Sequence, residues 1–128
     1  MPRSPSKRVP DPRRQAERAG RSAETLAAWV LRLKGFRILA MRYKTPVGEI
    51  DIVARRGRLI AMVEVKQRAG SAAAHAQALE AVNTARIVRA SEWFIAAHPR
   101  YRGYDFRFDV ISVAPGRWPR HLVNAFSA

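Results

Sequence analysis

Two short segments of the chain combine acidic side chains with otherwise apolar, strand-like sequence. In residues 59–66 every side chain is apolar until Glu64, and Lys66 follows two positions later. Successive side chains of a strand point to opposite faces, so Glu64 and Lys66 share one face. The second segment, residues 47–53, carries Asp51 between two isoleucines. Both segments therefore predict a carboxylate at the edge of a buried core.

A turn at residues 56–57 is expected to pair these segments as an antiparallel hairpin. The turn lies about midway between Asp51 and Glu64, which makes these two residues close cross-strand neighbours. Glu49 shares the face of Asp51 by the same alternation and is a possible supporting carboxylate.

The chemistry that such a pair supports is metal-assisted hydrolysis. Two nearby carboxylates repel each other unless a cation lies between them. Hard oxygen ligands suit Mg²⁺ or Mn²⁺, which polarise a phosphoryl oxygen and lower the pKa of bound water. The adjacent Lys66 can orient that water or neutralise charge in the transition state. The residues predict a site for phosphodiester hydrolysis.

Glu24 is a third candidate carboxylate and lies on a predicted helix over residues 15–34. It precedes Ala28 by four positions, beside an apolar stripe. A helix packed on the sheet would swing Glu24 toward the carboxylate pair. The alternative from the residues alone is a solvated charge that pairs with Arg21 or Arg32.

The overall charge is strongly positive, with 24 Lys and Arg against 10 Asp and Glu, a net of +14. Such an excess attracts polyanions through counterion release, and nucleic acid is the polyanion expected here. Cysteine is absent and no apolar run could span a bilayer, so we expect a cytoplasmic protein without membrane contact. The side chains predicted to cluster around the site and contact phosphates are Arg42, Lys44, Arg55, Arg56, Arg58, Arg68, Arg86 and Arg89.

The order of predicted elements indicates an α/β fold. A disordered basic tail over residues 1–13 precedes a single domain over residues 14–128. The order αβββαβ favours a mixed β-sheet flanked by helices. The predicted helices cover 15–34, 72–82 and 83–97, and the predicted strands cover 36–43, 47–55, 58–66, 106–113 and 122–126.

Three other residues are expected to be structural. Trp29 and Trp93 occupy core-like positions on helices and are expected to pack in the interior. Asp109 follows Phe108 in a predicted strand and is expected to be a buried carboxylate paired with an arginine.

Residues 48–54, with the sequence GEIDIVA, and residues 63–66, with the sequence VEVK, together resemble the PD-(D/E)xK nuclease signature. In order over about residues 15–126 the chain resembles the YraN family, small bacterial proteins with a restriction-endonuclease-like fold. The further segments that carry this resemblance are residues 20–24, 35–39, 107–111 and 121–126.

The resemblance implies a Mg²⁺-dependent endonuclease similar to archaeal Holliday-junction resolvases. It implies Asp51 and Glu64 as metal ligands, Lys66 as the residue that positions water, and Glu24 as a supporting helix carboxylate. DNA is favoured over RNA as substrate, with RNA left open; branched or junction DNA is a candidate, and the resemblance makes a homodimer an expectation. The chain departs from the family pattern at Arg42, where Asn is frequent, and at Arg86, where Lys is usual.

Two other functions fit the same residues. One is a nucleic-acid-binding accessory module without turnover, in which only the arginines matter. The other is a basic structural or ribosome-associated protein, in which Glu64 and Lys66 form a stabilising ion pair at a strand end.

Overall fold

Two helices and five strands make up the part of the chain that the computed structural model describes, residues 12–67 and 84–126, with side chains over 22–67 and 84–125. In chain order the elements are α1 (Pro12–Leu33), β1 (Arg37–Thr45), β2 (Gly48–Arg56), β3 (Leu59–Gln67), α2 (Thr84–Ala97), a 3₁₀ turn (Pro99–Tyr101), β4 (Asp105–Val113) and β5 (Arg120–Phe126).

The strands form one mixed sheet in the order β1-β2-β3-β4-β5. Three neighbouring pairs are antiparallel, and β3 pairs with β4 in parallel. Parallel neighbours need a crossover connection, and α2 lies within the one that joins β3 to β4. The predicted α/β class is therefore confirmed, and the topology is consistent with a restriction-endonuclease-like core.

Helix α1 packs on one face of the sheet through a stripe of small and aliphatic residues that includes Ala28 and Leu31. Leu26 and Leu33 recur at helical spacing but lie outside this stripe, since they are 39% and 75% exposed. The helix is rotated so that the alanines contact the sheet, which allows a close approach. Glu24 lies one turn before Ala28 and therefore faces the sheet as well.

Helix α2 packs on the opposite face. Ile87, Ala90 and Phe94 recur at helical spacing and contact a second core layer that contains Ile60 and Met62. The sheet is thus covered on both faces, which explains why β2 and β3 are apolar along most of their length.

The two tryptophans on the helices lie outside these cores. Trp29 is 57% exposed and Trp93 is 50% exposed, so the prediction that both pack in the interior was wrong. Each sits on a helix whose buried face is filled by smaller residues, and the ring is left on the outer side. Helical periodicity alone does not distinguish a tryptophan on the packed stripe from one beside it.

The described region begins inside the predicted basic tail, because α1 starts at Pro12. Proline is tolerated in the first turn of a helix, where its missing N–H would have no intrahelical partner. The rest of the tail, the predicted helix over residues 72–82 and Arg68 lie outside the described residues. In the described ranges, neither helix has the length and apolar character to cross a membrane.

Asp109 on β4 is fully buried and accepts several hydrogen bonds. Arg107 donates to both carboxylate oxygens at 2.9 Å, and the backbone N–H of Asn124 donates at 2.9 Å. His121 Nε2 lies 2.8 Å from Oδ2. Burial raises the pKa of Asp109, but the bonds from His121, Arg107 and Asn124 outweigh it and lower the pKa to about 2. The expected arginine-paired carboxylate is confirmed.

Asp109 should make stability depend on acidic pH. Its pKa is lower in the folded state, so its contribution of about 2 kcal/mol is present above pH 4 and is lost as pH falls through about 2. We expect Asp109→Asn to lower the free energy of unfolding at pH 7 and to flatten its decline between pH 4 and 2, measured by urea denaturation. Asp105→Asn, at an exposed position, is the control; equal pH profiles for the two variants would contradict the prediction.

Candidate functional site

The β2–β3 hairpin brings Asp51 and Glu64 together. Its register pairs Arg56 with Leu59 and Ile52 with Val63, and Asp51 and Glu64 follow directly at the end of this paired segment. The turn contains Gly57 at a φ of 61°, a left-handed conformation that glycine adopts without strain. The position of the turn had predicted that Asp51 and Glu64 are close neighbours.

A backbone N–H fixes the carboxylate of Asp51. The N–H of Val65, next to Glu64 on β3, donates to Asp51 Oδ2 at 2.7 Å. The Glu64 carboxyl group lies close enough to raise the pKa of Asp51. The sequence did not indicate the Val65 contact, because a backbone donor leaves no signal in residue types.

Lys66 completes the β3 part of the site. Its Nζ lies 3.2 Å from Glu64 Oε1, and the two side chains are only 21% and 11% exposed. An ion pair in such a partly buried setting is less screened than one on the surface. Lys66 is therefore held beside the carboxylates rather than extended into solvent.

Glu24 reaches the same edge of the sheet from α1. Its Oε2 accepts a hydrogen bond from Arg42 Nε at 2.7 Å. Glu24 therefore pairs with a strand arginine, whereas the residues alone had suggested Arg21 or Arg32. This Glu24 contact, with weaker attraction from Glu49 and Asp51, raises the pKa of Arg42.

Arg42 has an unusual backbone for a strand residue. Its φ of 52° lies in the left-handed region, which non-glycine residues rarely adopt. Such a conformation persists only where surrounding contacts maintain it. The hydrogen bond to Glu24 is one such contact. It directs the guanidinium toward Glu24, Asp51 and Glu64, which together form the acidic cluster of this site.

The surroundings of Asp51 make its charged form electrostatically unfavourable. Burial raises the pKa of Asp51 to about 7, with further contributions from Glu64 and Glu24, while the Val65 N–H opposes the shift. A carboxyl group with this pKa carries a proton much of the time near neutral pH. Any cation that bound between Asp51 and Glu64 would relieve the repulsion.

The donor set fits Mg²⁺ or Mn²⁺. Within residues 22–67 and 84–125, no group of three or more His, Asp or Glu side chains converges on a metal-binding point. Mg²⁺ is commonly held by one or two carboxylates, with water and substrate phosphate as its other ligands. Asp51 and Glu64 are the two carboxylates that would hold such an ion.

The predicted basic residues are divided between the two ends of the hairpin. Arg42 lies in the site, and Lys44 pairs with Glu49 in the β1–β2 register. Arg86 lies against Gly48 at the start of β2, since a Cβ on Gly48 would come within 2.8 Å of the Arg86 Cγ. Arg89 follows one helical turn later on α2.

Arg55, Arg56 and Arg58 lie at the other end, around the β2–β3 turn. The prediction that they cluster around the carboxylates is therefore corrected. An antiparallel hairpin that pairs Asp51 with Glu64 necessarily carries its turn away from them. Arg55 and Arg58 instead stack over the ring of Tyr104, at 5.1 and 4.6 Å from the ring centroid.

Comparison with known proteins gives the family. The protein-family model described as "Uncharacterised protein family UPF0102" matches residues 23–113, which contain every carboxylate of the acidic cluster. The chain belongs to the UPF0102 family. The YraN resemblance is thereby confirmed.

Several UPF0102 relatives match nearly the whole chain. A UPF0102 protein of Parvibaculum lavamentivorans is 48% identical over 125 residues, covering 98% of this chain and 93% of the relative. One from Methylorubrum extorquens is 53% identical, covering 89% and 88%. One from Rhodopseudomonas palustris strain BisB5 is 52% identical, covering 98% and 95%. These similarities show the family and assign no activity.

Charge on Asp51 should destabilise the metal-free protein at alkaline pH. A carboxyl pKa that is raised in the folded state stabilises at low pH, and this contribution is lost as pH rises through about 7. In EDTA we expect Asp51→Asn to raise the free energy of unfolding by about 4 kcal/mol at pH 8 and by less than half of that at pH 5, because the charged form becomes more populated between these pH values.

The matched control is Glu92→Gln on the exposed side of α2. Added Mg²⁺ or Mn²⁺ should stabilise the wild-type protein and not Asp51→Asn. If Asp51→Asn destabilised the metal-free protein equally at both pH values, the electrostatic account of this cluster would be wrong.

Proposed function

We propose that this protein is a metal-dependent endonuclease that hydrolyses phosphodiester bonds of nucleic acid, with DNA the more favoured substrate. The observation that carries the proposal is that Asp51 and Glu64 come together at the end of the paired β2–β3 segment. There the Val65 N–H donates to Asp51 Oδ2 at 2.7 Å, and Lys66 Nζ lies 3.2 Å from Glu64 Oε1. Two partly buried carboxyl groups side by side are costly unless a cation or a proton compensates their charge.

Each residue has a distinct part in the proposed reaction. Mg²⁺ or Mn²⁺ held by Asp51 and Glu64 would polarise a phosphoryl oxygen and lower the pKa of bound water. Lys66 orients the attacking water and offsets the negative charge that grows on the phosphate. Glu24 holds Arg42 at the edge of the site and so acts as a positioning residue.

The arrangement also supports a polyanionic substrate. Arg42 lies beside the carboxylates, and Arg86 and Arg89 are exposed on α2 near the start of β2. These cations can contact phosphates on either side of the bond to be cut. Branched or junction DNA, a homodimer and a cytoplasmic location are expectations that belong to this proposal.

A nucleic-acid-binding module without turnover is the second candidate. The ion pair between Glu64 and Lys66 favours it, because that contact partly neutralises the site without any metal. On this alternative the carboxylates are dispensable, and affinity depends on the arginines and falls with salt.

Cleavage assays with site variants separate the two candidates. With Mg²⁺ or Mn²⁺ we expect the wild-type protein to cut at least one member of a labelled panel of duplex, flap, four-way junction, single strand and structured RNA. Asp51→Asn, Glu64→Gln and Lys66→Ala should each lower the rate by about 100-fold or more, and EDTA should abolish cutting.

Binding measured by anisotropy in EDTA should persist in these three variants. Asp105→Asn is the matched control, because Asp105 lies at the opposite end of the sheet, where it pairs with Leu59. Cutting that survives Asp51→Asn would point to a contaminating nuclease. Binding without cutting in every metal would favour the accessory module.

A further inference from the structure

An open cavity lies between α2 and the start of β2, and the exposed Trp93 forms part of its wall. The cavity has a volume of about 350 Å³, and its walls also include Val47, Arg89 and Glu92. Ligand pockets in proteins begin at about 300 Å³, so a single flat ring system fits this space.

The exposed side of α2 aligns cations with this tryptophan. Arg86, Arg89 and Trp93 are spaced by three and four residues and therefore share one face of the helix. All three are exposed, and Arg86 lies against Gly48 at the start of β2. This basic face thus leads from Trp93 to the strand that carries Asp51.

The chemistry of the cavity favours a nucleobase over other occupants. The net charge of +14 and the two arginines favour a strand of nucleic acid over a neutral apolar partner. Glu92 at the wall repels a phosphate but accepts hydrogen bonds from N–H groups on base edges. A base can therefore lie on Trp93 while its phosphates lie toward the arginines.

We propose that this cavity binds an unpaired nucleobase, stacked on Trp93, with flanking phosphates on Arg89 and Arg86. Stacking on an aromatic ring needs an accessible base face, which a continuous duplex does not offer. The inference rests on the proposed function and deepens it, because it assigns the site a substrate with a single-stranded segment.

The position of the cavity sets the distance between the bound base and the phosphodiester bond that is cut in the proposed reaction. Val47 precedes Asp51 by four residues, a distance of about 13 Å along the strand. A stacked strand advances about 3.4 Å per nucleotide, so the bound base lies about four nucleotides from the carboxylates. Unpaired DNA and unpaired RNA share the base and phosphate chemistry that the cavity reads.

Tryptophan fluorescence tests the proposal directly. The chain has three tryptophans, at 29, 93 and 118, so paired Phe substitutions leave a single reporter. In EDTA, oligo(dT) or oligo(U) should quench the emission of Trp93 in Trp29→Phe/Trp118→Phe. The matched reporter is Trp29 in Trp93→Phe/Trp118→Phe, which is similarly exposed but lies on α1, and it should not respond.

Further experiments distinguish the contribution of the base from that of the phosphates. A blunt duplex, and a strand of equal length with abasic sites, should leave Trp93 emission unchanged. Trp93→Ala should weaken single-strand binding about tenfold with an unaltered salt slope. Arg89→Ala should reduce that slope by about one unit. Comparison of oligo(dT) with oligo(U) distinguishes the two sources of the base.

Three results would overturn the proposal. They are equal quenching by the abasic strand, an equal response of Trp29, and Trp93 emission that changes with protein concentration alone, which would mean that a second copy covers the cavity. The fluorescence needs neither metal nor turnover. Quenching without cleavage would therefore leave this inference standing while the proposed nuclease fails, and cleavage without quenching would do the reverse.

Discussion

The repulsion between Asp51 and Glu64 is the constraint around which this end of the molecule is arranged. Two carboxyl groups side by side at the edge of a core are costly, and the pKa of Asp51 at about 7 expresses that cost. Lys66 and the Val65 N–H offset part of it. The remaining repulsion destabilises the native structure, and a bound cation would remove it. Stability is thereby coupled to the chemistry proposed for the site.

Buried carboxylates elsewhere in the fold show what full compensation looks like. Asp109 receives both nitrogens of an Arg107 fork, a histidine and a backbone N–H, and its pKa falls to about 2. Glu24 is paired with Arg42. Among the described side chains, Asp51 forms no ion pair with a basic group, and its pKa moves in the opposite direction from that of Asp109. The same residue type is thus fully compensated in β4 and electrostatically uncompensated in β2.

The hairpin was predictable from the sequence because the position of its turn sets which residues of the two strands are neighbours. Gly57 permits the left-handed turn, and the pairing that follows brings residue 51 to residue 64. The contribution of Glu24 was less predictable, because the face that α1 buries contains Ala28 and Leu31 and leaves Leu26 and Leu33 exposed. Packing against a particular sheet decides such a rotation, and a helical period leaves it open.

The arginines show a second limit of sequence reasoning, since nearness along the chain does not mean nearness to the site. Arg55 and Arg58 stack on Tyr104 at the turn end, and Arg56 stacks on Phe36 at 4.4 Å. Guanidinium groups placed over rings help to pack that end of the sheet. Positive charge that serves packing is less available for a strand of nucleic acid. The path of the proposed substrate is therefore better sought at the opposite end. There Arg42 lies near the carboxylates, and Arg86 and Arg89 lie on α2 near the start of β2. The ring of Trp93, on the same face of α2, is the exposed aromatic face of that helix.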